Sequence, residues 1–219
     1  MAKASYIEEG RLRHLLKVAA ISGESPLRNV ALLMTVYGTG MMLTELARLP
    51  VRAYLNGDGS IRVKSCVDAR IAYNGKERPL YWSNAKVANA IDAYLAHRAT
   101  HRHGATCMAT AYRGLDPDGP LFLTGDGAPY KLIERRTGRG TPSYSCDSLS
   151  QHFRKLHLQA GIEGASAMSG RRTFAVRLAN NDYDLRHVNE LLGHETLTAT
   201  KRLIDSNSVR LGAIVARVI

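Results

Sequence analysis

Three cysteines, Cys66, Cys107 and Cys146, are all that the 219 residues contain, and they stand far apart with no paired spacing. That scarcity excludes a disulfide framework or a cysteine-based zinc site and leaves reduced thiols, so no metal is expected. No run approaches the roughly 18 uncharged apolar residues of a membrane span. The opening stretch "MAKASYIEEGRLRH" is too polar for a secretory leader, so a cytoplasmic location without a membrane partner is expected. Acidic residues are scarce as well: 19 Asp and Glu stand against 30 Lys and Arg, a formal charge of +11. Such an excess is an argument about partners, and phosphate is the natural counter-surface. The excess is uneven. Residues 131–177 hold Lys131, Arg135, Arg136, Arg139, Arg154, Lys155, Arg171, Arg172 and Arg177 against only Glu134, Asp147 and Glu163. Nucleic acid or an anionic membrane surface is the usual partner of such a charge; the alternative is a solvated basic face that merely keeps the chain soluble. One further absence matters later: no tyrosine follows Tyr183.

What is present organises into helices around a small sheet. "YIEEGRLRHLLKVAAI" and "SPLRNVALLMTVYGTG" have helical spacing, the second with Ser25 as N-cap, Pro26 at the first helical position and Gly38 or Gly40 as its stop. The pattern then alternates through "VRAYL", the turn "NGDG", "SIRVKS", "ARIAY", the turn Asn74-Gly75 and "KERPLYW", which predicts a small antiparallel sheet. Helix returns from "SNAKVANAIDAYLAHRA", apart from a loop-rich stretch at 103–145 dense in Gly, Pro, Thr and Ser. With no internal repeat or long linker, the expectation is one α+β domain over 1–219, mainly helical.

The last third carries the motifs. "SGRRTFAVRLANN" predicts a helix from Ser169, with Arg171 and Arg172 in its first turn and Phe174 and Leu178 on one face. In "DLRHVNELLGHE", Leu185, Val188, Leu191 and Leu192 form an apolar stripe, and Gly193 supplies a left-handed cap that displays His194. Arginines at a helix N-terminus near such a histidine suit phosphate.

At these residues the chain resembles the catalytic domain of the tyrosine recombinases, the phage integrase family. "SGRRTFAVRLANNDYDLRHVNELLGHETLTATKRLIDSN" is similar to the family's second box, "YGTGMMLTELARL" to its first, and the hairpin with "NGKERPL" lies between them. The resemblance implies that family's fold, and a chemistry in which a tyrosine hydroxyl attacks a DNA phosphate to give a 3′-phosphotyrosine. Two arginines neutralise the nonbridging oxygens, a histidine assists proton transfer, a hairpin lysine protonates the leaving 5′ oxygen, and a further histidine or tryptophan supports the phosphate. No cofactor enters, and the resemblance narrows the partner to double-stranded DNA. The family's N-terminal DNA-clamping domain has no expected counterpart here.

Position by position, the resemblance implies a degenerate site. Met42 takes the place of the first arginine and Tyr73 that of the hairpin lysine; Lys76 compensates only if the hairpin register slips. Met168 replaces the histidine of "H-x-x-R", while Arg171 is retained, as is His194. The nucleophile's position, nine residues beyond His194, is Leu203, which has no nucleophilic atom. Thr198, Thr200 or Ser206 are poor substitutes, since an alcohol is far less acidic than a phenol. The expected function is therefore a non-cutting DNA-binding protein, a regulator or accessory factor of a mobile element. Its contacts are expected at Lys76, Arg135, Arg136, Arg139, Arg171, Arg172 and His194. The alternatives are a partner subunit of an active integrase and an enzyme with a displaced active site. The apolar tail at 208–219, with Val209, Leu211, Ile214, Val215, Val218 and Ile219, is a candidate for exchange with another copy or with an active recombinase.

Overall fold

Stereochemistry decides the first two helices. The computed structural model describes residues 5–107, 110–136 and 142–205. Helix α1 spans Glu9–Ile21 and α2 spans Pro26–Thr39, with Pro26 at the start of α2 and Gly40 closing it in the left-handed region at φ 66°. Ser25, expected to cap α2, makes no side-chain cap hydrogen bond. After a single turn of helix, α3 (Leu43–Leu46), comes the hairpin of β1 (Lys64–Val67) and β2 (Arg78–Tyr81), antiparallel with Lys64 opposite Tyr81 and Val67 opposite Arg78.

Two strands expected from alternation do not form. Val51–Ala53 is a 3₁₀ turn, because the Val51 and Arg52 amides bond to the carbonyls of Gly119 and Pro117 rather than to a neighbouring strand. Residues 69–73 form a turn instead: the Asp68 carboxylate accepts from the Arg70 amide at 2.8 Å, and the Asp68 carbonyl accepts from Ile71 and Ala72. Helix α4, Ala85–Thr100, is capped by Asn84, whose side chain accepts from the amides of Lys86 and Val87. The stretch expected to be loop holds a second hairpin, β3 (Ile133–Arg136) with β4 (Pro142–Ser145), so Arg135 and Arg136 are strand residues. Arg139 and the 208–219 tail lie outside the described residues.

Helices α5 (Asp147–Gln159), α6 (Ala167–Asn180), α7 (Leu185–Leu192) and α8 (Leu197–Asp205) complete the described fold. Helix α6 begins before the expected Ser169, with Ser166 outside its first turn and the Ser166 amide donating to Ser169 Oγ at 3.2 Å. The architecture is mainly helical, with two small antiparallel sheets. Helix α2 is the central element: it packs against α1, α4 and α6 and buries Leu32, Leu33 and Val36 completely. Ala175, Val188, Leu192 and Ile204 form a second, smaller apolar cluster joining α6, α7 and α8.

The α2–α6 approach depends on Gly170, where an added Cβ would lie 2.6 Å from Val36 Cγ1. Gly170→Ala should therefore cost about 1–3 kcal/mol by overpacking, a fall of roughly 2–10 °C in Tm. Gly10→Ala, in open space on α1, should be neutral or slightly stabilising. Equal melting temperatures for wild type and Gly170→Ala would show that this approach is not tight.

Candidate functional site around Arg171

Helix α7 has only eight residues, so its last carbonyls have no helical partner and must be met from outside. Three other elements supply the donors. From α6, Arg171 donates through Nη2 to the Leu192 carbonyl at 2.7 Å and through Nη1 to the Gly40 carbonyl at 2.6 Å, linking the ends of α7 and α2. From β2, Arg78 donates through Nη1 to the Leu191 carbonyl at 2.8 Å. From the turn before β2, Asn74 Nδ2 donates to the Gly193 carbonyl at 2.8 Å, joined by the Tyr73 hydroxyl at 3.3 Å. Glycine is required at both helix stops: a Cβ on Gly40 would lie 2.7 Å from the Phe174 ring, and one on Gly193 2.6 Å from Arg78 Cδ.

The charges are handled differently at the two arginines. Arg78 pairs with Glu45 at 2.6 Å, and both side chains are excluded from solvent, 2% and 0% exposed. The same carboxylate accepts from the amides of Met42, at 3.0 Å, and Tyr73, at 3.3 Å. No carboxylate pairs with Arg171 among the described residues; the Tyr73 ring lies over its guanidinium at 5.2 Å. Burial, reinforced by the nearby positive charge of Arg78, pushes the Arg171 pKa down to about 10, so it remains a cation at neutral pH.

His194 sits in a closed ring of hydrogen bonds. Asn189 Nδ2 donates to the His194 carbonyl at 3.0 Å, which turns Asn189 Oδ1 toward Thr200. The Thr200 hydroxyl donates to that oxygen at 2.8 Å, so His194 Nδ1, 2.8 Å from the same hydroxyl, must be the donor to it. In the neutral ring Nε2 then carries a lone pair and accepts rather than donates. Burial first, then the charges of Arg171 and Arg78, pull the His194 pKa down to about 4, so the ring is neutral at physiological pH.

The other expected site residues fall into two groups. Met42, Tyr73 and Met168 converge on one cavity of about 560 Å³. Leu203 does not: its side chain packs with the α6–α8 cluster, and its carbonyl accepts from Arg172 Nε at 3.1 Å. Arg172 is itself buried. Lys76 is exposed and 3.8 Å from the Glu195 carboxylate, a surface pair of little energetic weight. Sequence reasoning did not single out Glu45, Arg78 or Asn189, and it weighed Thr200 only as a poor nucleophile, not as the hydrogen-bond partner of His194. Glu45 and Arg78 stand inside the quoted motifs, but nothing in the motifs says that they pair.

A model of the phage integrase family matches residues 5–209. The chain belongs to this family. The tyrosine recombinase XerC of Myxococcus xanthus is 30% identical over 177 residues, covering 80% of this chain and 49% of that protein. The chain thus spans about half the length of this curated relative. Among solved structures, the XerA recombinase superposes with a TM-score of 0.69 at 19% identity, over 99% of this chain and 66% of that one. The Tn1549 transposon integrase, solved in complex with transposon right end DNA, gives 0.58 at 16% identity, over 90% and 60%. At these identities the structural likenesses show the integrase-family fold.

The buried pair yields a stability prediction. Arg78→Met strands the Glu45 carboxylate and should cost about 3–5 kcal/mol. Glu45→Leu combined with Arg78→Met should lose distinctly less in urea unfolding. Equal losses for the single and double variants would remove the ion pair as the cause.

The histidines yield a pH prediction. His194 and His152 are both pulled down to about 4, His152 by burial first and then by the charges of Arg28 and Lys155. His157, which accepts from the buried Tyr37 hydroxyl at 2.8 Å, is also lowered by burial. Each folded value lies below the unfolded one near 6.5, so the unfolded chain takes up protons first. Stability should be complete above about pH 7 and fall from about pH 6.5 toward pH 4. His194→Gln should flatten part of that fall; an unchanged slope would show that His194 is not one of the groups responsible.

Proposed function

We propose that this chain is a DNA-binding member of the phage integrase family that does not cut DNA, acting as an accessory or regulatory factor in recombination of a mobile element. The observation that carries the reading is the state of the retained arginine: Arg171 spends both terminal nitrogens on main-chain carbonyls and lies under the Tyr73 ring. Three further features support it. Met42 and Met168 offer no hydrogen-bond donor to a phosphate, His194 carries a lone pair on Nε2, and Leu203 is half-buried and packed against apolar neighbours. On this reading Arg171, Arg172 and His194 are struts of the scaffold. Phosphate contacts fall to exposed basic residues such as Lys76 and Arg154 and to the β3–β4 segment with Arg135, Arg136 and Arg139.

The basic lining of three neighbouring depressions supports the DNA reading. Arg48 lines all three, and Arg52, Arg62, Arg70 and Arg154 line one or another of them, with Arg52 paired to Asp118 and Arg70 to Asp68. The Tn1549 integrase, which shares the fold, is solved in complex with transposon right end DNA, and this likeness supports DNA as the partner.

A nicked suicide duplex should give no protein adduct that survives denaturing electrophoresis, with wild type or with Leu203→Tyr. A covalent band from the wild type would overturn the proposal. Affinity for intact duplex should fall linearly with salt on logarithmic axes, and replacing Arg135, Arg136 and Arg139 by alanine should reduce that slope by up to about 3. A slope near zero for the wild type would leave the basic surface without a nucleic-acid role.

A further inference from the structure

The cavity on which Met42, Tyr73 and Met168 converge is unlike a phosphate site, and its walls specify something else. Its volume of about 560 Å³ is in the range of small-ligand pockets. Thioethers of Met41, Met42 and Met168 line it, with the Tyr73 and Tyr144 rings at its edge. Sulfur and phenol rings together favour a flat aromatic occupant.

Charge argues against a cation inside. Arg48 lines the cavity, held by bonds from its Nε to the Thr44 carbonyl, its Nη1 to that of Arg70 and its Nη2 to that of Ile71, with its guanidinium 5.1 Å from the Tyr144 ring centroid. No carboxylate among the described residues lines the cavity, so a cation has no counter-charge there. An uncharged ring carrying an anionic group fits these walls.

Hydroxyl groups give that ring its polar edge. Ser143, Ser145, Ser150 and Ser166 line the same cavity. Ser145 Oγ is sealed from solvent and has no hydrogen-bond partner among the described residues. A buried hydroxyl in that state costs about 1–3 kcal/mol, which a ligand edge would recover. Arg154, exposed on α5, also borders the cavity and can meet an anionic group attached to the ring.

We propose that this cavity binds a nucleobase, with the thioethers and tyrosines against the ring faces, Ser145 on a ring edge and the attached phosphate toward Arg154. The base can come from a free nucleotide or from a nucleotide turned out of bound DNA. Binding of the free nucleotide is independent of whether the chain holds duplex, so its failure is separable from failure of the proposed function.

The test uses the full chain with 13C-methyl methionine. Deoxynucleoside 5′-monophosphates should shift the Met42 and Met168 methyl resonances saturably, and ribose 5-phosphate should not. Ser145→Ala should weaken the binding by about 3- to 10-fold, the loss of one hydrogen bond. Met168→Lys should abolish it without loss of the fold by circular dichroism. In a second arm, duplex carrying 2-aminopurine is bound at low salt. A rise in fluorescence that Met168→Lys removes assigns the base to DNA, and continued quenching alongside nucleotide-induced shifts assigns it to the free nucleotide. The proposal is overturned if neither nucleotide nor duplex shifts the two methyl resonances, or if ribose 5-phosphate shifts them as nucleotides do.

Discussion

The carbonyls of Leu191, Leu192 and Gly193 are the point on which the C-terminal half of the fold is fixed. They lie at the negative end of the short helix α7, where cationic donors are favoured, and they are met by Arg78 from β2, Arg171 from α6 and Asn74 from the intervening turn. Because Arg171 also holds the Gly40 carbonyl, the same network reaches the end of α2, the central helix of the core. An eight-residue helix is marginal by itself. Here it is positioned by Arg171 from the preceding helix α6 and by Arg78 and Asn74, both more than a hundred residues away in sequence, and His194 is presented at the place these anchors dictate.

Two guanidiniums so close require compensation, and the compensation is unequal. Glu45 neutralises Arg78 and at the same time ties down the amides of Met42 and Tyr73, so one carboxylate fixes two residues that line the cavity. Arg171 has stacking in place of a counter-charge. Its tolerance of burial follows from the high intrinsic pKa of the guanidinium, which leaves it charged even after being pushed down to about 10. A lysine would lose the bidentate geometry that joins two carbonyls of different helices. The neutrality of His194 belongs to the same balance, since two buried cations nearby oppose a third.

Much of this fold is legible in the sequence wherever stereochemistry acts locally. Pro26 at the head of α2 and the left-handed cap at Gly193 stand where residue chemistry alone places them, and of the two glycines open as the stop of α2 it is Gly40 that closes it. The strands expected at 51–55 and 69–73 are not found, because alternation there is overruled by bonds from 117–119 and by the Asp68 turn, neither visible in a periodicity. The β3–β4 hairpin is hidden for the opposite reason: "PSYS" is small and polar, and its order comes from pairing with "IERR". At the site, the convergence of Met42, Tyr73 and Met168 follows the family pattern. The Glu45–Arg78 pair spans 33 residues and joins two motifs that look independent when read along the chain.

The proposed separation of phosphate contacts from the cavity at Met42 rests on what a phosphate needs. An anion leaving water must find donors with hydrogens to spare, or the desolvation cost stands uncompensated. Around this cavity each nitrogen of Arg48 and each terminal nitrogen of Arg171 already donates to a carbonyl, so both guanidiniums are held in place and an anion must use the N–H hydrogens that those bonds leave over. Freeing either arginine would strand those carbonyls and loosen the network that holds α2, α7 and the hairpin turn together. Phosphate affinity and fold stability therefore place competing demands on the same guanidiniums, because a phosphate must take the remaining hydrogens without pulling the carbonyl bonds apart.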